Sequence, residues 1–213
     1  MERIEGIERL TALVGQDLRQ LADQYRVTVW TQEGKKNKGW AGRTIERYLG
    51  LAANSSRSPN FGSWELKQVQ LAVKRTGELR VKETMAITMI DPVEVASKEF
   101  EESHLFNKLQ KMVVVALLFE SKADNISLVH SVASFDLDNP EIYDQVKADY
   151  NLVQEIIRTQ GFSSLSGKMG KLIQPRTKGQ GHGSTSRAFY ARKSFVAHIL
   201  GEGYSIPLPV MPA

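Results

Sequence analysis

Residues 2–24 place apolar side chains at Ile4, Ile7, Leu10, Leu13, Val14, Leu18 and Leu21. That spacing returns to one side of a 3.6-residue turn and predicts an amphipathic packing helix. Trp40, Ile45, Tyr48 and Leu49 repeat it, with Gly50 near the end of a second helix. Residues 52–62 (AANSSRSPNFG) are rich in turn formers and read as a loop. Beyond them the period drops to two: Trp64 to Leu71 alternates apolar and polar, as in a half-buried strand. Gly77 turns the chain into a second strand, Leu79 to Ile90, and further strands follow at 111–120 and 126–135. The third is apolar almost throughout, which places it in the middle of a sheet. Between the second and third strands, Pro92 to Leu109 reads as helical with a break near Glu102. Asn139-Pro140 opens the clearest helix, whose apolar face is Ile142, Val146, Tyr150, Val153, Ile156 and Ile157, and Gly161 closes it. A short strand at Leu172 to Gln174 interrupts the polar stretch 163–186. A final element, Arg187 to Leu200, mixes basic and aromatic residues ahead of a Pro-rich tail. No repeat or linker divides the chain. The expectation is one α/β (α+β) domain over residues 1–213, a mixed central sheet flanked by helices, with room for two lobes that form a cleft.

Composition narrows this only modestly. A length of 213 residues with 41% hydrophobic content supports a real core. The net charge of +4 suits a polyanionic partner without requiring one. The absence of cysteine excludes disulfides, thiolate metal sites and cysteine nucleophiles. The N-terminus (MERIEGIERL) has no apolar signal region, and the longest apolar run, Met112 to Phe119, is too short to span a bilayer. The chain therefore reads as soluble, cytoplasmic and without a membrane partner. The histidines, at 104, 130, 182 and 198, lack a metal-binding spacing such as HExxH, and no phosphate-binding Gly-rich fingerprint follows a strand.

The informative chemistry lies in Asn60-Phe61-Gly62-Ser63-Trp64-Glu65-Leu66-Lys67. Residues two apart on a strand share a face, so Glu65 and Lys67 point the same way while Trp64 and Leu66 point into the core. A carboxylate can hold Mg²⁺ through hard oxygen, and the lysine beside it can orient an attacking water and offset phosphate charge. A Glu-x-Lys pair alone is ordinarily a solvated ion pair. A metal site needs a further acid, and its natural place is the turn before the strand, where Asn60 stands after Pro59. A neutral amide there weakens Mg²⁺ binding.

Five segments, in order between residues 38 and 200, together resemble the MutH family of DNA endonucleases, a group of mismatch-repair nickases and type II restriction enzymes within the PD-(D/E)xK superfamily. Lys38-Gly39-Trp40-Ala41-Gly42, followed by Glu46 and Leu49-Gly50, resembles its first motif. Glu65-Leu66-Lys67 resembles the second, and the family's Asp-Phe falls on Asn60-Phe61 if the loop is two residues shorter. Phe100-Glu101-Glu102-Ser103-His104 with Lys108-Leu109, Leu172 to Gly179 after the long helix, and Arg187-Ala188-Phe189-Tyr190 with Lys193 resemble the other three. The resemblance implies a restriction-endonuclease-like fold and Mg²⁺-dependent phosphodiester hydrolysis. Glu46, Asn60, Glu65 and Lys67 become the catalytic positions, with Asn60, Glu65 and Glu46 around the metal. The family pattern is broken at Asn60, which reads as an inactivating replacement, natural or deliberate.

The same resemblance places Lys108, Arg176 and Tyr190 at the recognised bases, where Arg and Lys can donate to the guanine edge and an aromatic ring can meet a base face. His104, Lys178, Gly179, Arg187, Arg192 and Lys193 are the further candidates for contact with double-stranded DNA, in a clamping loop that includes Gly181, His182 and Gly183. The leading expectation is a type II restriction enzyme cutting a short palindrome such as GATC. A nickase of hemimethylated DNA and a binding-only module are the alternatives. No long exposed apolar helix announces an obligate dimer, so a monomer in free solution is expected, with pairing possible on DNA.

Overall fold

The computed structural model describes residues 1–51, 58–119, 126–179 and 185–201. The chain opens with α1 (Arg3–Thr11) and α2 (Leu18–Gln24). The single helix expected over 2–24 is thus two. Gly15 turns at φ +82°, and the Asp17 carboxylate accepts from the amides of Arg19 and Ser127, capping α2 and tying it to the sheet. After α3 (Trp40–Tyr48) come β1 (Glu65–Val73), β2 (Leu79–Val81), β3 (Met85–Met89), α4 (Pro92–Ser97) and α5 (His104–Leu109). The helical stretch at 92–109 is interrupted by a 3₁₀ turn at Phe100–Glu102, after which the Ser103 hydroxyl caps α5. Next are β4 (Lys111–Phe119), β5 (Val129–Asp136), α6 (Pro140–Gln160), β6 (Ile173–Thr177), β7 (Arg187–Ala191) and α7 (Lys193–Ile199). The helix expected from Asn139-Pro140 is present: the Asn139 carboxamide accepts from Glu141 and Ile142, and Gly161 leaves it at φ +84°.

The strands form two sheets. One is mixed, in the order β2-β1-β4-β5, with β1 parallel to β4 and the other pairs antiparallel; the second is antiparallel, β3-β7-β6. The strand expected at 79–90 divides between the two sheets. Helices flank the mixed sheet, an α/β architecture. Strand β4 explains the layering. Met112, Val114, Ala116 and Leu118 belong to one core, with α5, α6, α7 and β7; Val113, Val115 and Leu117 belong to the other, with α1, α2, α3, Trp64 and Leu66. Both faces of β4 are covered, hence its unbroken apolar run. Gly6 matters to the second core, because a Cβ there would stand 2.7 Å from the Trp64 ring.

The second sheet is anchored by a buried acid. Asp149 on α6, 3% exposed, accepts from the amides of Lys171, Leu172 and Ile173 and from the Gln145 side chain. The preceding turn passes through Gly170 at φ +74°, where a Cβ would lie 1.9 Å from the Ile173 carbonyl oxygen. The Arg192 guanidinium donates to the carbonyls of Gly167, Met169 and Gly170, closing the same loop. Asp149→Ala leaves three amides without their acceptor and is expected to cost about 3 kcal/mol in urea unfolding; a loss below about 1 kcal/mol would show that the loop finds other acceptors.

Candidate active site

Strand parity decides where the chemistry sits. Glu65 and Lys67 share a face of β1 with Val69 and Leu71, which belong to the core toward α5 and the second sheet, while Leu66 faces the other. Both faces are interior, so Glu65 is only 1% exposed and the pair is no solvated surface bridge. Lys67 Nζ donates to Glu65 Oε1 at 2.6 Å. Lys108, 8% exposed at the end of α5, donates to both Glu65 oxygens at 3.0 and 3.2 Å. An ion pair this deep holds only when the geometry and the extra hydrogen bonds offset desolvation. Here two ammoniums and a backbone amide do so.

Asn60 closes the cluster. Its backbone N–H donates to Glu65 Oε2 (3.0 Å), its side-chain Oδ1 accepts from Leu66 N (3.3 Å), and its side-chain Nδ2 donates to Glu46 Oε1 (3.3 Å). The loop that carries it is set by Phe61 stacked on Trp64, with ring centroids 4.0 Å apart. Glu46 arrives from α3, which buries Trp40, Ala41 and Ile45 on one side and turns Glu46 toward the cleft beside β1. Burial raises the Glu46 carboxyl above its ordinary value; Lys67 opposes this and Glu65 adds to it. Burial also lowers the Lys67 ammonium, against the pull of Glu65.

The fixed charges balance, since Glu46 and Glu65 face Lys67 and Lys108 with Asn60 neutral between them. In kind, the oxygens of Glu46, Asn60 and Glu65 suit a hard divalent cation. In charge they fall one short of three acids, and Lys108 already holds Glu65. Among the described residues no three acidic or histidine side chains converge as a metal-binding group.

The cluster opens on a cleft of about 580 Å³, lined by Lys38, Gly39, Glu46 and Lys67 on one side and by Thr84, Lys178 and Tyr190 on the other. Tyr190 comes from β7 and Lys178 from just beyond β6. The Arg176 guanidinium lies 5.6 Å from the centre of the Tyr190 ring and donates to Thr84. Lys178 is lowered by partial burial and then by Lys108.

The other candidates disperse. Lys108 lies inside the carboxylate cluster, almost fully buried against Glu65. Arg192 spends its donors on the loop of Gly167 to Gly170. Arg187 donates to Thr177 and to the Ser163 carbonyl. The His104 amide donates to Glu94, and its ring stands 4.0 Å from the same carboxylate. Lys193 is exposed at the start of α7, and Gly179 is exposed beyond Lys178. Gly181, His182 and Gly183 lie outside the described residues. Sequence reasoning passed over two participants, Thr84 and Lys38, of which only Lys38 carried a signal, as the first residue of the Lys-Gly-Trp motif.

Comparison with known proteins returns mismatch-repair and restriction enzymes. The family model for the DNA mismatch repair enzyme MutH matches residues 49–145. The MutH mismatch repair protein of Vibrio cholerae is 27% identical, covering 94% of this chain and 96% of its own length. Those of Shewanella woodyi and Pasteurella multocida are 26% and 25% identical, covering 95% and 92% of this chain and 92% and 93% of their own. A solved complex of the restriction endonuclease MvaI with its cognate DNA substrate aligns over 85% of this chain and 95% of its own, at 14% identity and a TM-score of 0.38, a loose correspondence. No helix among the described residues is long and apolar enough to cross a membrane.

The raised Glu46 carboxyl predicts a pH-dependent stability. A folded-state value above the ordinary 4.5 means that the folded protein loses stability as pH rises through that raised value. Glu46→Gln removes the ionisation, so its melting temperature is expected to exceed that of the parent at pH 8 and to converge with it near pH 4. Thermal unfolding at the two pH values checks this; a variant less stable at pH 8 would mean that the carboxylate is a net stabiliser.

Proposed function

We propose that the chain is a DNA endonuclease of the MutH kind, a nickase of mismatch repair acting at a short duplex site, with its cleavage held low by Asn60. The observation that carries this reading is the convergence of Glu46, Glu65 and Lys67 around Asn60 at the floor of a cleft bordered by Lys178. The relatives that span nearly the whole chain are mismatch repair proteins, which favours the nickase over the stand-alone restriction enzyme.

In phosphodiester hydrolysis a water oxygen attacks phosphorus and the bridging oxygen leaves with a proton. Lys67, lowered by burial and held by Glu65, can orient that water or accept its proton, and offsets charge gathering on the phosphate. Lys178 and Lys38 meet the DNA backbone at the rim. Arg176 and Tyr190, packed together on neighbouring strands, would read base edges. Lys108, buried against Glu65, would hold that carboxylate in place. Glu46, Asn60 and Glu65 would hold Mg²⁺, which when bound supplies Lewis-acid stabilisation of the phosphate.

A catalytically silent DNA-binding protein is the second reading, favoured by the charge balance of the cluster. With Asn60 neutral, the site is satisfied without a cation. An aspartate would lose the donor to Glu46 and place a third carboxylate beside two others, an arrangement that calls for a cation.

Asn60→Asp is therefore expected to raise Mg²⁺-dependent nicking of supercoiled plasmid by about 10²-fold or more. Its melting temperature should rise on adding Mg²⁺ while that of the parent stays level. Nicking by Asn60→Asp should increase with pH as Lys67 loses its proton, and Lys67→Arg in that background should abolish the rise. An Asn60→Asp protein with no gain in cleavage and no thermal response to Mg²⁺ would refute the site assignment.

GATC is the favoured site. Arg176→Ala should cost about 1–3 kcal/mol on a GATC duplex and far less on a scrambled one. Equal affinity of the parent for both duplexes, measured by fluorescence anisotropy, would remove GATC as the target.

A further inference from the structure

A second basic surface stands beside the cleft. Residues 28–38 form a hairpin closed by a bridge between Trp30 and Lys36 and a turn through Gly34 at φ +72°. Thr31 N–H donates to the Lys35 carbonyl, Asn37 N–H to that of Val29, and the Asn37 side chain to that of Thr28. The hairpin is thus a pinned arm.

At its centre Trp30 is 43% exposed, whereas Trp40 and Trp64 are 4% and 1% exposed. Lys36 Nζ lies 5.6 Å from the Trp30 ring centre, and the Arg19 guanidinium of α2 lies 6.0 Å from it. Within residues 28–38 three lysines stand against one glutamate, Glu33, which pairs with Lys35 at 2.8 Å. The arm is also continuous with the cleft. Lys38 lines it, and Lys36 is two residues back, within about 7 Å of extended chain.

We propose that this arm is a second DNA-binding surface, with Arg19 and Lys36 taking phosphates of the duplex flanking the recognised site and Trp30 packing on the adjoining sugar-phosphate ridge. The inference rests on the DNA-endonuclease reading and deepens it. An exposed tryptophan gripped by two cations has no core to serve, and its ring holds the cations in place so that less side-chain freedom is lost when phosphate binds. Duplex DNA is the occupant that matches the charge and the position, because a duplex lying in the cleft past Lys38 continues toward the arm.

The chain's three tryptophans make the test direct, since only Trp30 is exposed. Acrylamide quenching of tryptophan fluorescence should fall when the parent binds a duplex of about 30 base pairs with the site at its centre, and stay unchanged on one of about 10 base pairs. Trp30→Phe should lose the quenchable signal. Lys36→Ala with Arg19→Ala should lower the salt slope of binding to the long duplex by about two and weaken it about tenfold, with the short duplex unaffected. Lys36→Ala alone, on the exposed hairpin, should lower the slope by about one. DNA bound with Trp30 still open to acrylamide, or slopes unchanged in these variants, overturns the arm and leaves the endonuclease reading standing. A parent that binds neither duplex overturns both.

Discussion

Glu65 is a carboxylate taken almost wholly out of water, and the arrangement around it follows from that cost. An isolated charge at this depth would be expelled or neutralised. Lys67 on the same strand, Lys108 from α5 and the Asn60 amide from the preceding loop surround it instead. Three stretches of chain therefore meet at one side chain, and through Asn60 the contact extends to Glu46 on α3. Removing a single partner from such a cluster strands the others, while the complete set is close to neutral in net stability. Its value lies in position: it ties α3, α5 and β1 together at the floor of the cleft.

Residue 60 acts on this balance rather than on the fold. An asparagine can donate to Glu46 and leave two carboxylates facing two ammoniums. That arrangement stands complete by itself, which is the physical reason for expecting a protein that keeps its DNA-binding shape and has little need of a cation. The wall opposite is held separately. Asp149 and Arg192 pin the loop before β6, so that β6 and β7 present Arg176 and Tyr190 from an antiparallel sheet, with Lys178 just beyond β6.

Much of this was legible in the residues. Period two at Trp64 to Leu71 placed Glu65 and Lys67 on one face, the apolar run of β4 placed it in mid-sheet, and Asn139-Pro140 and Gly161 bounded α6. These are properties of backbone geometry acting over a few neighbouring positions, so a linear pattern carries them. The resemblance added Glu46, for no local pattern joins a helix at residue 46 to a strand at residue 65.

What the tertiary structure alone decided was the partner of each charged side chain. Period two could not say that the polar face of β1 would be covered, turning an ordinary surface pair into a buried cluster. The strand at 79–90 divides because its ends pair with different strands, β1 and β7. Lys108 and Arg192 have the look of solvated basic residues in sequence, yet one neutralises Glu65 from 43 residues away and the other closes a loop 22 to 25 residues before it. Secondary structure is set by rotations about neighbouring bonds, whereas burial of a charge is set by which distant groups arrive to replace the water it has lost.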